Sequence, residues 1–489
     1  MQVLIWILFV VYGCLMLFVF SYSIIQLSLA LKYLKKKKEL PTDRAQGPLP
    51  QVTIQLPVFN EKYVVERLIK ATLNMDYPKE LLEVQVLDDS TDETQEITQK
   101  WVDFYQAQGF DIVRIHRTNR AGFKAGALAE GTEVAKGEFI AVFDADFLPR
   151  TDFLRATLPS FKDEQIGMVQ TRWEHLNQNY NMLTRLQAFG LDAHFTVEQA
   201  GRNALGHFIN FNGTAGIWRK KTISDAGGWN ADTLTEDLDL SYRAQLKGWK
   251  FLYLEDHGSP AELPAAIHAL KTQQYRWTKG AAECAVKNLP KVLKQKELPW
   301  ATRMHATFHL LNSFVFVCIL VTGVLSVPLL LIKSEFAQYN LVFEVAAIFS
   351  ISFLFLALFY GAACRVQFDN TWKMIRYFVQ HFPLFLAIYM GLSLHNAVAV
   401  VEGYLGRKTP FVRTPKFNIV AEKGGWKGNA YLKGKAGLFT YLELILTFYF
   451  IAALGIGYYV KDWGLYPFHI MLAFGFGTIS LYSLVQVKN

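Results

Sequence analysis

The chain has 489 residues, of which 52% are apolar, 19% charged and 15% aromatic, and its net charge is +8. Soluble domains carry about 25% charged residues, so this sequence is short of solvated surface, and its composition excludes a disordered, collagenous or coiled-coil chain. Its four scattered cysteines, Cys14, Cys284, Cys318 and Cys364, lack metal-type spacing and exclude a disulfide-stapled mini-protein.

In chain order, residues 2–31 come first. They are apolar and uncharged, long enough to cross a bilayer, and followed by Lys32 and Lys35 to Lys38. No positive charge precedes the apolar core, unlike a signal peptide. The expectation is a retained N-terminal transmembrane helix over 1–34, with its basic C-terminal flank on the cytoplasmic side.

Residues 45–300 read as a soluble α/β domain. Val52–Leu56 is an expected strand, stopped by Pro57, and residues 61–74 carry apolar side chains at helical spacing. Further strands are expected at 84–87, 112–115 and 139–143, with helices at 93–106 and 125–135 between them. This alternation argues for a mainly parallel, doubly wound sheet, and such sheets bind ligands at the carboxyl ends of their strands.

The strand ends are rich in oxygen. Asp144-Ala145-Asp146 follows an apolar strand, and two carboxylates one residue apart can aim at one hard cation, Mg2+ or Mn2+, that keeps positions open for phosphates. Taken alone, the pair is also an ordinary solvated turn. Asp88-Asp89 suits a base or ribose, or a helix N-cap. The turn containing Gly122 enters a helix, where Lys124 and backbone N–H groups can meet phosphate. Thr235-Glu236-Asp237 suits a first helical turn and equally a general base beside a cation. In Gln273-Gln274-Tyr275-Arg276-Trp277, Arg276 can neutralise a diphosphate and Trp277 can stack on a sugar; an interfacial helix is the alternative.

After residue 300, apolar runs at 306–332, 341–364, 438–460 and 465–486 are expected to span the membrane. The stretch 376–402 contains Arg376, His381, Pro383, His395, Asn396 and Glu402. One crossing there would put 403–435 outside, with eight Lys or Arg against the single acid Glu422. The expectation is therefore an interfacial or re-entrant helix over 376–402 and a cytosolic loop over 403–435. The whole is an integral, multi-pass protein of the plasma or inner membrane, with its soluble domain in the cytosol.

These stretches together resemble the membrane-embedded family 2 glycosyltransferases, in particular the cellulose-synthase-like group with glucan and glucomannan synthases. The family's D-D, D-x-D, T-E-D and Q-x-x-R-W motifs stand in order as Asp88-Asp89, Asp144/Asp146, Thr235-Glu236-Asp237 and Gln273/Arg276/Trp277. Leu56-Pro57-Val58-Phe59-Asn60-Glu61 and Phe211-Asn212-Gly213-Thr214 also look familiar.

The resemblance implies a GT-A fold (Rossmann-like) beside a transmembrane bundle, a nucleotide-sugar donor (UDP-glucose first, GDP-mannose second), Mg2+ or Mn2+, and inverting transfer of a hexose to a growing β-glycan that crosses the membrane. By carry-over, Asn60, Glu61, Asp88, Asp89, Lys124, Asp144, Gln273 and Arg276 would bind the nucleotide sugar. Asp144 and Asp146 would hold the metal, Asp237 would be the base, and Glu236 and Trp277 would meet the acceptor. Residues 411–416 resemble the gating loop of cellulose synthases, with Arg413 at a position where valine is usual. Partners are then the donor, a glycan or glycolipid acceptor and the bilayer. The rival enzyme reading is transfer of one sugar to a lipid, as in ceramide-type glucosyltransferases. A transporter would put charges deep in the spans, and a nucleic-acid binder would not confine its basic residues to membrane flanks.

Overall fold

The computed structural model describes residues 1–35, 48–421, 425 and 437–487. Lys36 to Lys38, Glu422, Lys423, Lys427, Lys433 and Lys435, on which the charge argument for the two flanks partly rests, lie outside the described residues.

One seven-stranded sheet organises the soluble part. Its strands are β1 Val52–Val58, β2 Leu82–Asp88, β3 Asp111–His116, β4 Phe139–Val142, β5 Ile166–His175, β6 Gly216–Arg219 and β7 Lys250–Ala261. Their spatial order is β3-β2-β1-β4-β6-β5-β7. The first four strands pair in parallel, and β6 alone runs against its neighbours β4 and β5. Helices Val65–Leu73, Thr94–Gln106 and Phe123–Val134 make the crossovers, so the expected doubly wound sheet is what forms.

The central strands are buried on both faces, which makes them read as apolar runs. Ile54, Leu56, Val84, Val86, Ile140 and Val142 have no exposed surface, and each fully buried aliphatic side chain of this size contributes about 1.5–3 kcal/mol. Polar side chains inside the sheet pair across strands in register: Thr53 Oγ1 donates to Glu83 Oε2 at 2.6 Å, and Gln55 Nε2 to Gln85 Oε1 at 3.0 Å.

Pro57 does not end β1. The strand continues to Val58, with Pro57 opposite Leu87. Gln55 O accepts from Phe143 N, so alternate residues of β1 face β4, and Val58 O accepts from Asp89 N on the β2 side. Pro57 thus turns its nitrogen toward β4, whose ladder stops at Val142 opposite Gln55. The missing N–H costs no ladder bond.

Five described helical stretches are long and apolar enough to cross a membrane: Gln2–Lys35, Phe314–Glu335, Ala337–Gln367, Leu438–Tyr459 and Tyr466–Gln486. The run expected to begin at 306 begins at Phe314 instead, because Trp300–Leu310 is a separate helix. The stretch expected as one helix over 376–402 is two, Thr371–Gly391 and Ser393–Tyr404, meeting at 53°. Pro383 lies inside the first of them, away from the bend.

The helix Ile267–Lys294 joins the two parts of the molecule. It packs on Ser393–Tyr404 so closely that a Cβ on Gly403 would stand 2.7 Å from Lys279 O. Its Lys271 Nζ lies 2.7 Å from Glu443 Oε2 and 3.0 Å from Ser483 Oγ, on two of the apolar helices. The N-terminal helix is tied to the soluble part as well, with Gln26 Nε2 donating to Glu198 and Tyr33 to Glu255.

Candidate active site

The parallel strands β1, β2 and β4 all end at one edge of the sheet. Because β6 is antiparallel, the segment that enters it, Asn212-Gly213-Thr214, arrives at the same edge. Thr214 Oγ1 accepts there from Asp144 N at 2.9 Å, and Ala215 N donates to Val142 O. A cleft opens along this edge.

Lys124 stands at the centre. Its Nζ lies 2.6 Å from Asp144 Oδ1, 2.8 Å from Gly213 O and 3.9 Å from Glu236 Oε1. The turn that delivers it is tight. Arg120, Gly122 and Phe123 all hold left-handed backbone, with φ of 45°, 70° and 51°, and a Cβ on Gly126 would fall 2.0 Å from Ala121 O. Gly213, at φ +78°, leaves room for Asp237: a Cβ there would lie 2.9 Å from Asp237 Oδ2 and 3.4 Å from Lys124 Nζ. Asp144, Glu236 and Asp237 therefore surround one ammonium group.

The electrostatics follow from crowding. Asp237 is pushed up to about 7, first by burial and then by the neighbouring Glu236, against Lys124. Burial pulls the Lys124 ammonium down, but Asp144 and Glu236 outweigh it and its pKa is raised. Glu61 rises to about 7 through burial, opposed by Arg413 and Lys416, and Glu262 rises to about 7 for the same first reason.

The loop Phe411–Lys416 closes one side. Arg413 Nη1 lies 2.8 Å from Glu61 Oε1, and Lys416 Nζ 2.8 Å from Asp146 Oδ2. Phe411 stacks on Phe123 at 5.6 Å, and the Arg276 guanidinium sits 4.8 Å from the Phe411 ring centre.

Whether a divalent cation suits the site can be judged from its donors. Asp146 is buried, and its Oδ1 has no hydrogen-bond partner. Lys124 takes one oxygen of Asp144. Among the described residues no three His, Cys, Asp or Glu side chains converge as a ready metal cage. Two carboxylates with the remaining positions left to water and phosphate is how Mg2+ is usually held, and Asp144 and Asp146 fit that pattern.

Of the residues singled out in the sequence, Glu61, Asp89, Lys124, Asp144, Asp146, Glu236, Asp237, Gln273, Arg276 and Trp277 line this one cleft. Asn60 and Asp88 do not. Asn60, at φ 53°, bonds Ser90 and Thr91 and ties the end of β1 to the end of β2. Asp88 is fully buried, with Arg114 Nε at 2.8 Å and the Ser90 N–H on its other oxygen. Adjacent residues of a strand point to opposite faces, so only Asp89 of this pair reaches the cleft. There Arg117 grips it through two N–H groups, at 2.8 and 2.5 Å.

Sequence reasoning missed Arg117, Glu262, Trp173 and His175. They stand outside any motif, and only the stretch of strand before Trp173 carried a local signal.

Comparison with known proteins adds ancestry to this geometry. Residues 50–280 match the family described as "Glycosyltransferase like family 2". Glucomannan 4-beta-mannosyltransferase 1 of Oryza sativa subsp. japonica is 40% identical over 293 residues, 57% of this chain and 56% of that protein. Glucomannan 4-beta-mannosyltransferase 7 of Arabidopsis thaliana is 36% identical over 344 residues, 67% of this chain and 61% of that protein. The Cyamopsis tetragonoloba glucomannan 4-beta-mannosyltransferase 1 is 38% identical over 351 residues, 66% of each. The chain thus spans between 56% and 66% of the length of these relatives. Among solved structures, mannosyltransferase PcManGT from Pyrobaculum calidifontis, in complex with GDP-Man and Mn2+, superposes with a TM-score of 0.55 at 17% identity, covering 82% of this chain and all of that one. At that identity the likeness is one of fold.

Proposed function

From a chain whose residues 50–280 are a family 2 glycosyltransferase domain on a GT-A fold, we propose a membrane mannosyltransferase that moves mannose from GDP-mannose to the end of a growing β-linked glycan. The observation that carries this reading is the gathering of Asp144, Glu236 and Asp237 around Lys124 in one cleft at the carboxyl edge of the sheet. The names of the relatives put GDP-mannose ahead of UDP-glucose as the donor.

The chemistry is an inverting single displacement. Asp237 accepts the proton of the acceptor hydroxyl as that oxygen attacks the anomeric carbon, and a carboxylate poised near 7 suits this task. The sugar–phosphate bond breaks on the opposite face, and Lys124 and Arg276 stabilise the charge that gathers on the departing diphosphate. Asp144 and Asp146 would hold Mg2+ or Mn2+, which supplies further charge neutralisation to the same phosphates. Asp89 and Glu61 face the nucleotide, and Trp277 carries the acceptor sugar. The soluble domain stands in the cytosol and the glycan leaves through the helical part.

Membranes containing the chain, supplied in turn with radiolabelled GDP-mannose and UDP-glucose, test the assignment. A ladder of polymer from GDP-mannose is the expected product. Incorporation from UDP-glucose alone would replace the donor. A single lipid-linked product in place of a ladder would replace the polymer with one-step glycolipid synthesis.

A further inference from the structure

The sequence points to one indole at the cleft, Trp277; the structure puts two there. Trp173 lies near the end of β5, and its half-buried ring lines the same cleft. It is braced on three sides. Trp173 stacks on Phe195 with centroids 4.8 Å and planes 28° apart, meets Phe147 edge-on at 5.2 Å and 72°, and inclines toward Trp277 at 6.4 Å and 55°. Phe147 follows Asp146 directly in the chain. An aromatic wall therefore runs from the carboxylate pair to Trp277.

Trp173 differs from the core tryptophans Trp218 and Trp229, whose Nε1–H groups are likewise buried without a partner among the described residues, in lining the cleft. Its Nε1–H is buried without a hydrogen-bond partner among the described residues, although buried tryptophans normally find one. Among the described residues no cation stands over its ring, whereas Arg276 and Arg120 cover Phe411 and Phe59. With no cation over it, the ring offers a phosphate no neutralising charge. A pyranose suits it, because its C–H face stacks on an indole and its rim hydroxyls offer acceptors to an N–H.

We infer that Trp173 is a second stacking platform, taking the sugar next to the terminal one held on Trp277. This rests on the proposed transfer to a glycan and adds to it: the acceptor is read over two consecutive sugars, and a disaccharide or longer chain is the true acceptor class.

The test uses the full chain, GDP-mannose at saturation, and mannose, β-linked mannobiose or β-linked mannopentaose as acceptors. Trp173→Ala is expected to raise the KM for mannopentaose by roughly tenfold, the upper end of what an aromatic contact is worth, and to leave the KM for GDP-mannose unchanged. Trp173→Leu fills much of the space against Phe195 and Phe147 without a flat ring and is expected to show most of the same rise, so the test survives if the alanine variant fails to fold. Wild-type acceptor KM in both variants overturns the inference, and so do donor and acceptor KM values that rise in step. If the wild-type chain transfers nothing from GDP-mannose, the proposed reaction falls instead. Calorimetric titration with mannopentaose alone then decides for Trp173: weaker binding in the variants than in the wild type supports the platform, and equal or absent binding throughout rejects it.

Discussion

At the scale of residues, the cleft is governed by the density of negative charge around Lys124. Asp237→Asn keeps the shape of the side chain and removes the proposed proton acceptor. It is expected to lower kcat on the order of 10²–10⁴-fold, with nucleotide-sugar affinity measured by titration unchanged. The sign of the pH dependence follows from Asp237 being raised to about 7. The base works only when ionised, so kcat/KM climbs as pH rises through that value. Glu236 is the second cause of the shift after burial, and Glu236→Gln is expected to move the acid limb to lower pH. Glu61 and Glu262 are raised to about 7 as well, so the limb is composite and only the part belonging to Asp237 moves. A limb that stays in place in Glu236→Gln would show that Asp237 does not control it. Asp144, Asp146, Glu236 and Asp237 were legible because each closes an apolar strand or opens a helix. Asp88 was not, since strand alternation sends it against Arg114 while its neighbour Asp89 meets Arg117.

At the scale of elements, the helix Ile267–Lys294 carries both the cleft residues Gln273, Arg276 and Trp277 and the buried ion pair to Glu443. Removing one partner of a buried pair leaves the other uncompensated, at a cost of about 3–5 kcal/mol, while replacing both with apolar groups of similar volume is often neutral. Lys271→Met and Glu443→Met are thus each expected to lower the thermal midpoint in detergent, and the double variant to recover most of it. A double variant as unstable as the sum of the singles would mean that the two groups do not act as a pair. Local periodicity located the helix–strand alternation of the soluble part. It did not locate the bend between Gly391 and Ser393, because that break has no proline at it. It also ended β1 too early, since the cost of a proline depends on which neighbour its nitrogen faces.

At the scale of the whole molecule, the soluble domain and the apolar helices are joined through the cleft itself. The loop Phe411–Lys416 follows the helix Ser393–Tyr404 and sends Lys416 onto Asp146 and Arg413 onto Glu61. These two cations neutralise the carboxylates that are proposed to meet the donor and the metal ion. Lys416→Met is expected to tighten binding of Mn2+ alone by roughly fivefold, the worth of about 1 kcal/mol for one ion pair, as read by titration without nucleotide. Unchanged or weaker Mn2+ binding would show that Lys416 does not compete for Asp146.

The sequence by itself determined the class of the fold, the number of apolar helices and most of the residues that meet in the cleft. Each of these rests on a local pattern: β-branched runs, lengths of uncharged chain, and acids placed where strands end. Only the tertiary structure decided that Asp88 turns away, that Arg413 and Lys416 reach back across more than two hundred residues to Glu61 and Asp146, and that Trp173 stands beside Trp277. Those contacts depend on which strands are neighbours and which way β6 runs, and no short stretch of sequence carries that information.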